Sequence, residues 1–258
     1  MKRVIAALTA AAALTACSSS GNSGGSSTES SGGGLSGSIT VFAASSLTEA
    51  FGTLADQFKK AHPGTDITFD FDSSSTLASN ITQGQNSDVF ASASTSNMDT
   101  VVQAGDAENP TNFVSNTMEI ATPSGNPAHI KTVGDLAKPG VTVALCDPAV
   151  PCGATAQQVF DNAKVTVKPK ASEPDVKSTL AIVESKEVDA GMVYVTDVRA
   201  AGSKVTGVEI PSSVNATTTY PIAVLKNSGN HDLAQAWVDY VLSAAAQNVL
   251  LADGFSKP

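Results

Sequence analysis

Twice along this chain, short apolar runs of strand type alternate with segments of helical period, and that repeated order narrows the fold more than any other feature. In the first series "SITVFAA" (38–44) reads as a buried strand, and the segment after it places Leu47, Ala50, Phe51, Leu54, Ala55 and Phe58 on one helical face. "DITFDF" (66–71) alternates as a second strand, "TLASNITQ" (76–83) suits a short helix, and "DVFAS" (88–92) is a third strand. The order β-α-β-α-β predicts a largely parallel sheet with helices on both faces. A second series holds the strand "GVTVAL" (140–145), the helix "ATAQQVFDNA" (154–163), a helix after Pro174 and the strand "AGMVYV" (190–195).

"MEIATPSGNP" (118–127) lies between the series, and "TYPIAVLK" (219–226) follows them, ahead of a long helix with Trp237, Tyr240 and Leu242. Both segments read as crossings between lobes. If the chain leaves the first lobe near residue 119 and returns near 220, lobe 1 comprises 38–118 plus 220–258, and lobe 2 comprises 119–219. The expected fold class is α/β, with two Rossmann-like lobes, a hinge and a ligand cleft. Ligands of such sheets bind beyond the carboxyl ends of the strands, so the site is expected where those ends face each other.

Ahead of the first strand, Lys2 and Arg3 precede an apolar run from Val4 to Leu14. This reads as a secretion signal over residues 1–16, too short for the roughly 20 residues that span a bilayer. "LTAC" (14–17) resembles a bacterial lipobox, which makes Cys17 the expected site of lipidation and the membrane anchor. Residues 17–37, nearly all serine and glycine, read as a flexible tether. The tether contains "GNSGG", a formal match to a nucleophile elbow, but that motif needs a rigid strand-to-helix turn. The mature protein is thus expected on the outer face of the cell membrane, held only by lipid.

With Cys17 assigned to the anchor, Cys146 and Cys152 remain, in a compartment where disulfides persist. Tetrahedral zinc needs four ligands, and His62, His129 and His231 lie far off in sequence. The spacing is not that of a C-x-x-C redox pair. A bridge between Cys146 and Cys152 is the expectation.

Charge excludes one large class of partner. The leader holds two of the 15 basic residues and none of the 24 acidic ones, so the rest of the chain carries net −11. Beyond the leader, Arg199 is the only arginine. No basic patch is present to bind nucleic acid by counterion release.

Two serine clusters stand at strand-to-helix junctions. In "FAASSLTEAF" (42–51), Ser46 is followed three residues later by Glu49, the spacing of a capping box. In "FDSSSTLAS" (71–79), Ser73, Ser74 and Ser75 offer hydroxyl and backbone donors. Capping alone accounts for a serine before a helix. Two clusters without a neighbouring arginine also suit an oxyanion held by neutral donors and helix dipoles.

"ITVFAASSLTEAF", "QFKKAHPG", "FDSSSTLASNITQGQNSDVFASA", "DPAVPCG", "DVKSTLAIVESKEVDAGMVYVTD" and "YPIAVLKNS", in this order, resemble the periplasmic molybdate-binding proteins of ABC transporters, within the type II periplasmic binding proteins. The resemblance runs from about Ile39 to the end of the chain. It implies two lobes that close over molybdate or tungstate and deliver it to an ABC permease, with no cofactor, no catalysis and a monomeric state. It also implies the ligand set: hydroxyls of Ser46, Ser74 and Tyr194 and backbone N–H groups of Cys152 and Val176, with Ser45, Ser73 and Ser75 as additional candidates. Cys152 stands where the family pattern has alanine, a change that keeps the backbone donor. A donor-only pocket would favour an unprotonated dianion over hydrogenphosphate.

Rival readings are a receptor for sulfate, thiosulfate or phosphate, an iron(III) receptor, a structural adhesin, and a secreted serine hydrolase. Iron would call for clustered tyrosines, and the chain has only Tyr194, Tyr220 and Tyr240. The adhesin is disfavoured by the expected cleft. The hydrolase needs a general base within reach of a serine, and no histidine lies in a motif suited to that role.

Overall fold

The computed structural model describes residues 34–258. The leader, the Cys17 lipidation site and the tether as far as residue 33 lie outside the described residues. The last tether residues behave differently from the expectation. Leu35 packs against the first-lobe core, Ser36 accepts a bond from Asn230 Nδ2 (3.0 Å), and Gly37 already pairs with Thr65 as the first residue of a strand.

The first parallel trio consists of β1 (Gly37–Ala44), β2 (Thr65–Asp72) and β3 (Val89–Ala91), in the order β2-β1-β3. Helices α1 (Thr48–Ala61), α2 (Ser74–Thr82) and α3 (Thr95–Ala104) follow the three strands in turn. As the middle strand, β1 is covered on both faces, which is why it reads as a nearly continuous apolar run. All six residues predicted for the inner face of the first helix are buried. Phe51 and Phe58 meet the indole of Trp237 edge-on at 5.7 and 5.5 Å.

A second parallel trio, in the order β7-β5-β6, is built from β5 (Val143–Cys146), β6 (Ala171–Glu173) and β7 (Ala190–Tyr194). Helices α4 (Pro151–Ala163), α5 (Val176–Glu184) and α6 (Val195–Ala201) follow them.

Long strands join the trios. β4 (Thr111–Pro123) pairs through its first half with β9 (Thr217–Val224), and through its second half with β7 and the short β8 (Val205–Val208). These joints, like the pairing of β3 with β9, are antiparallel. The parallel order expected from the strand-helix series holds within each trio, and antiparallel pairing enters where the chain passes between them. A strand that leaves one sheet and a neighbour that returns to it must run in opposite directions.

Apolar burial follows the same division. One cluster gathers residues from Met118 to Ala216, while two others draw on Ile39–Val114 and on Tyr220–Phe255. The last helices, α7 (His231–Leu242) and α8 (Ala244–Asp253), complete the first lobe. Beyond them Ser256 forms a two-bond bridge with Ser115 of β4, at 2.8 and 2.9 Å. Among the described residues no helix is long and apolar enough to cross a membrane.

Candidate functional site

The carboxyl ends of the two trios face each other across a small cavity. Ala44, Ser45, Ser46, Asp72, Ser73, Ser74 and Ala93 line it from the first lobe, and Pro151, Cys152, Asp175, Val176 and Tyr194 from the second. It measures about 10 Å³, on the order of the space one buried water needs. A pocket this small suits a compact ion better than a sugar, an amino acid or a peptide.

Each junction supplies donors for a local reason. At the start of α2 the Ser73 hydroxyl accepts from Thr76 N–H (3.2 Å), and the first helical bond runs from Leu77 N–H to Ser73 O (3.0 Å). The N–H groups of Ser74 and Ser75 are left without a helical partner. Ser74 Oγ accepts from Ala93 N–H at 2.8 Å, so its own proton is free to donate. α4 opens on Pro151, which has no N–H, and its first bond runs from Ala154 N–H to Val150 O (3.0 Å). Cys152 and Gly153 therefore keep uncommitted N–H groups. At α5 the Asp175 carboxylate takes the N–H groups of Lys177 (2.7 Å) and Ser178 (3.0 Å), and Thr179 N–H takes Asp175 O. Only the N–H of Val176 remains.

The disulfide shapes one of these turns. Cys146 and Cys152 are bonded, with Cα atoms 5.8 Å apart, across the turn between β5 and α4. Gly153 sits so close to this turn that a Cβ there would collide with the Asp147 carbonyl oxygen. The helix start thus lies directly against the bridged loop, and its N–H groups point where the loop permits.

Ser46 differs from its predicted role. A short 3-10 turn, Ser45–Leu47, intervenes before α1, and Leu47 occupies the cap position with no side-chain bond. The Ser46–Glu49 capping box does not form. Instead Ser46 Oγ meets Tyr220 Oη at 2.8 Å in a buried pair. With Tyr220 as donor, the serine proton is directed away from that bond. Tyr220 was not singled out in the sequence, because nothing local links it to a serine 174 positions away.

Tyr194 lines the cavity with a buried hydroxyl that has no hydrogen-bond partner. The Thr155 hydroxyl near it donates to the Pro151 carbonyl (2.8 Å) and makes no acceptable bond with the phenol. Burial pushes the Tyr194 phenol well above its ordinary pKa, and it raises that of Tyr220 as well. Both phenols stay protonated at neutral pH, as a donor must.

Every residue of the predicted ligand set, Ser46, Ser74, Cys152, Val176 and Tyr194, lines this cavity, and so do Ser45 and Ser73. Ser75 does not, because its hydroxyl turns to Ser73 Oγ (3.2 Å). None of the lining residues is lysine, arginine or histidine. Positive potential comes from the N-terminal ends of α2, α4 and α5. The predicted absence of acceptors is corrected, since Asp72 and Asp175 also line the cavity. Their carboxylates are engaged locally, Asp72 with Ser73 N–H and Asp175 with the first turn of α5.

Comparison with known proteins gives a consistent set of relatives. The sequence model of the bacterial extracellular solute-binding protein family matches residues 39–256. The molybdate-binding protein ModA of Mycobacterium tuberculosis (strain H37Rv) is 43% identical over 222 residues, covering 86% of this chain and 85% of that protein. The molybdate-binding protein ModA of Escherichia coli (strain K12) is 34% identical over 232 residues, covering 85% and 89% respectively. The periplasmic molybdate-binding protein of Azotobacter vinelandii superposes with a TM-score of 0.77 at 18% identity, over 85% of this chain and 99% of that one.

Proposed function

The chain belongs to the bacterial extracellular solute-binding proteins and, among them, to the molybdate-binding family; from that membership we propose that it captures molybdate, and also tungstate, between its lobes and hands it to an ABC permease. The observation that carries this reading is the buried, unpartnered phenol of Tyr194 in a cavity where three helices present free N–H groups. An unpaired buried hydroxyl costs about 1–3 kcal/mol, a cost that a ligand oxygen removes. Each bond to a charged ligand contributes roughly 1.5–3 kcal/mol. A few such bonds offset the desolvation of a dianion even in an acidic protein.

The proposed ligands are the hydroxyls of Ser46, Ser74 and Tyr194 and the N–H groups of Cys152 and Val176, with Ser45 and Ser73 beside them. Residues 38–118 plus 220–258 and residues 119–219 are the proposed moving bodies, with the β4–β9 pair as hinge. Lipid attachment at Cys17 and a monomeric state complete the proposal: a tethered receptor reaches the permease by diffusion about its anchor.

Asp72 supports a second reading. A carboxylate at the cavity wall can accept from a protonated oxyanion, so hydrogenphosphate is the rival ligand. Calorimetric titration of a soluble form from residue 34 onward with molybdate, tungstate, sulfate and phosphate separates the two. Heat with molybdate and tungstate, and none with phosphate, is the expected result; phosphate or sulfate binding without a molybdate response would overturn the assignment. Calorimetry suits this protein because Trp237, its single tryptophan, lies in the first-lobe core and not at the cavity.

A further inference from the structure

Beside the cavity one ion pair ties the lobes together. Lys177 Nζ lies 2.9 and 2.7 Å from the two carboxylate oxygens of Glu49 and 3.0 Å from Asp197 Oδ1. Glu49 is in α1, three residues after Ser46, and Lys177 directly follows Val176 in α5. The pair therefore connects the turn bearing the Ser46 hydroxyl to the turn bearing the Val176 N–H, on opposite walls of the cavity. Asp197 is fully buried, and its Oδ2 accepts from Tyr194 N–H at 3.1 Å. Burial works against the Lys177 charge, yet the Asp197 and Glu49 carboxylates outweigh it and hold the ammonium above its usual pKa.

The two carboxylates differ in what they need. Asp197 and Lys177 belong to the same lobe, so their contact persists whatever the lobes do. The Glu49 contact requires the lobes to be together. We propose that Glu49 is a positioning residue for anion capture: by docking on Lys177 it sets the spacing between the Ser46 and Val176 donors and favours the closed form without touching the ligand. This rests on the oxyanion-binding reading. A ligand that needs both walls binds in proportion to the closed fraction, so a tie that shifts closure shifts affinity.

The sign of the effect separates this role from simple electrostatics. Neutralising a carboxylate near a dianion site strengthens binding by Coulomb's law, whereas losing the tie weakens it. The test is calorimetric titration of molybdate into wild type, Glu49→Gln and Glu184→Gln at low and high ionic strength. Glu184, in α5, pairs with Lys204 at 3.3 Å within the second lobe and serves as the control. Glu49→Gln is expected to weaken molybdate roughly two- to fivefold at low salt, the range of a half-exposed ion pair. The gap to wild type should narrow at high salt as screening removes the tie. The ligand-free variant should unfold at the wild-type temperature, and Glu184→Gln should bind like wild type. Equal or tighter binding by Glu49→Gln at low salt overturns the proposal, as does a loss that Glu184→Gln shares. A wild type that gives no heat with molybdate overturns the ligand assignment on which the tie rests.

Discussion

Ser74 and Tyr194 both bring a hydroxyl to the cavity wall, but in the ligand-free protein one is satisfied and the other is not. Ser74 Oγ holds the Ala93 N–H, so Ser74→Ala strands a buried donor and should lower stability by about 1–2 kcal/mol. Tyr194→Phe removes an unpaired hydroxyl and should leave the ligand-free protein as stable as wild type, or about 1 kcal/mol more stable. Each change should weaken molybdate roughly tenfold or more, because each removes one donor to a charged ligand. Thermal unfolding without ligand and calorimetry with it read the two effects separately. A Tyr194→Phe protein that is strongly destabilised would mean the phenol has a structural partner. As residues of the cavity wall, Ser74 was legible in the sequence from its strand-to-helix junction and from the family resemblance, and Tyr194 from the resemblance alone. Tyr220, which orients Ser46, was not, because its role arises only when β9 packs beside the first trio. Lys177 was hidden for the same reason, as its partners lie in two other helices.

At the level of elements, the start of α4 shows how a covalent link and a missing side chain cooperate. The bridge closes a seven-residue loop, worth about 2 kcal/mol in the chain-entropy view, and Gly153 lets the helix sit against the Asp147 carbonyl. Cys152→Ala keeps the backbone N–H and should cost stability of about that size with little loss of molybdate affinity. Gly153→Ala should also cost stability, because its Cβ meets the Asp147 carbonyl, and by displacing the helix start it should weaken binding more than the cysteine change does. Chemical denaturation and calorimetry on both variants check this ordering, and equal binding by both would show that the position of the turn does not matter. Elements with a long apolar pattern, continuous in β1 and one-sided in α1, were readable from the sequence. α3 and α8 were not, because α3 buries only Met98 and Val101, and α8 only Ala246 and Leu250. β6 and β8 are short and only partly covered, which leaves no alternation long enough to detect.

For the whole molecule, a ligand gripped from both lobes links binding to global stability. Molybdate at a hundredfold excess over its Kd should raise the unfolding free energy by about 2.7 kcal/mol, and a non-ligand oxyanion at the same concentration should leave the unfolding temperature unchanged. The two-lobe plan was visible in the repeated strand-helix order. The antiparallel seam was not, because β4 serves both sheets and its sequence carries no mark where one partner gives way to the next. That seam also fixes an order of events during synthesis. The second lobe is one uninterrupted stretch and can fold as soon as it is made. The first lobe lacks the neighbour of β3 until β9 arrives, with Phe90 pairing to Ala223, and it is finished only when Ser256 reaches Ser115. Such distant pairings form slowly. A chain arranged in this way leaves its first sheet unfinished until the residues around Ser256 are in place, long after the second lobe has all of its strands.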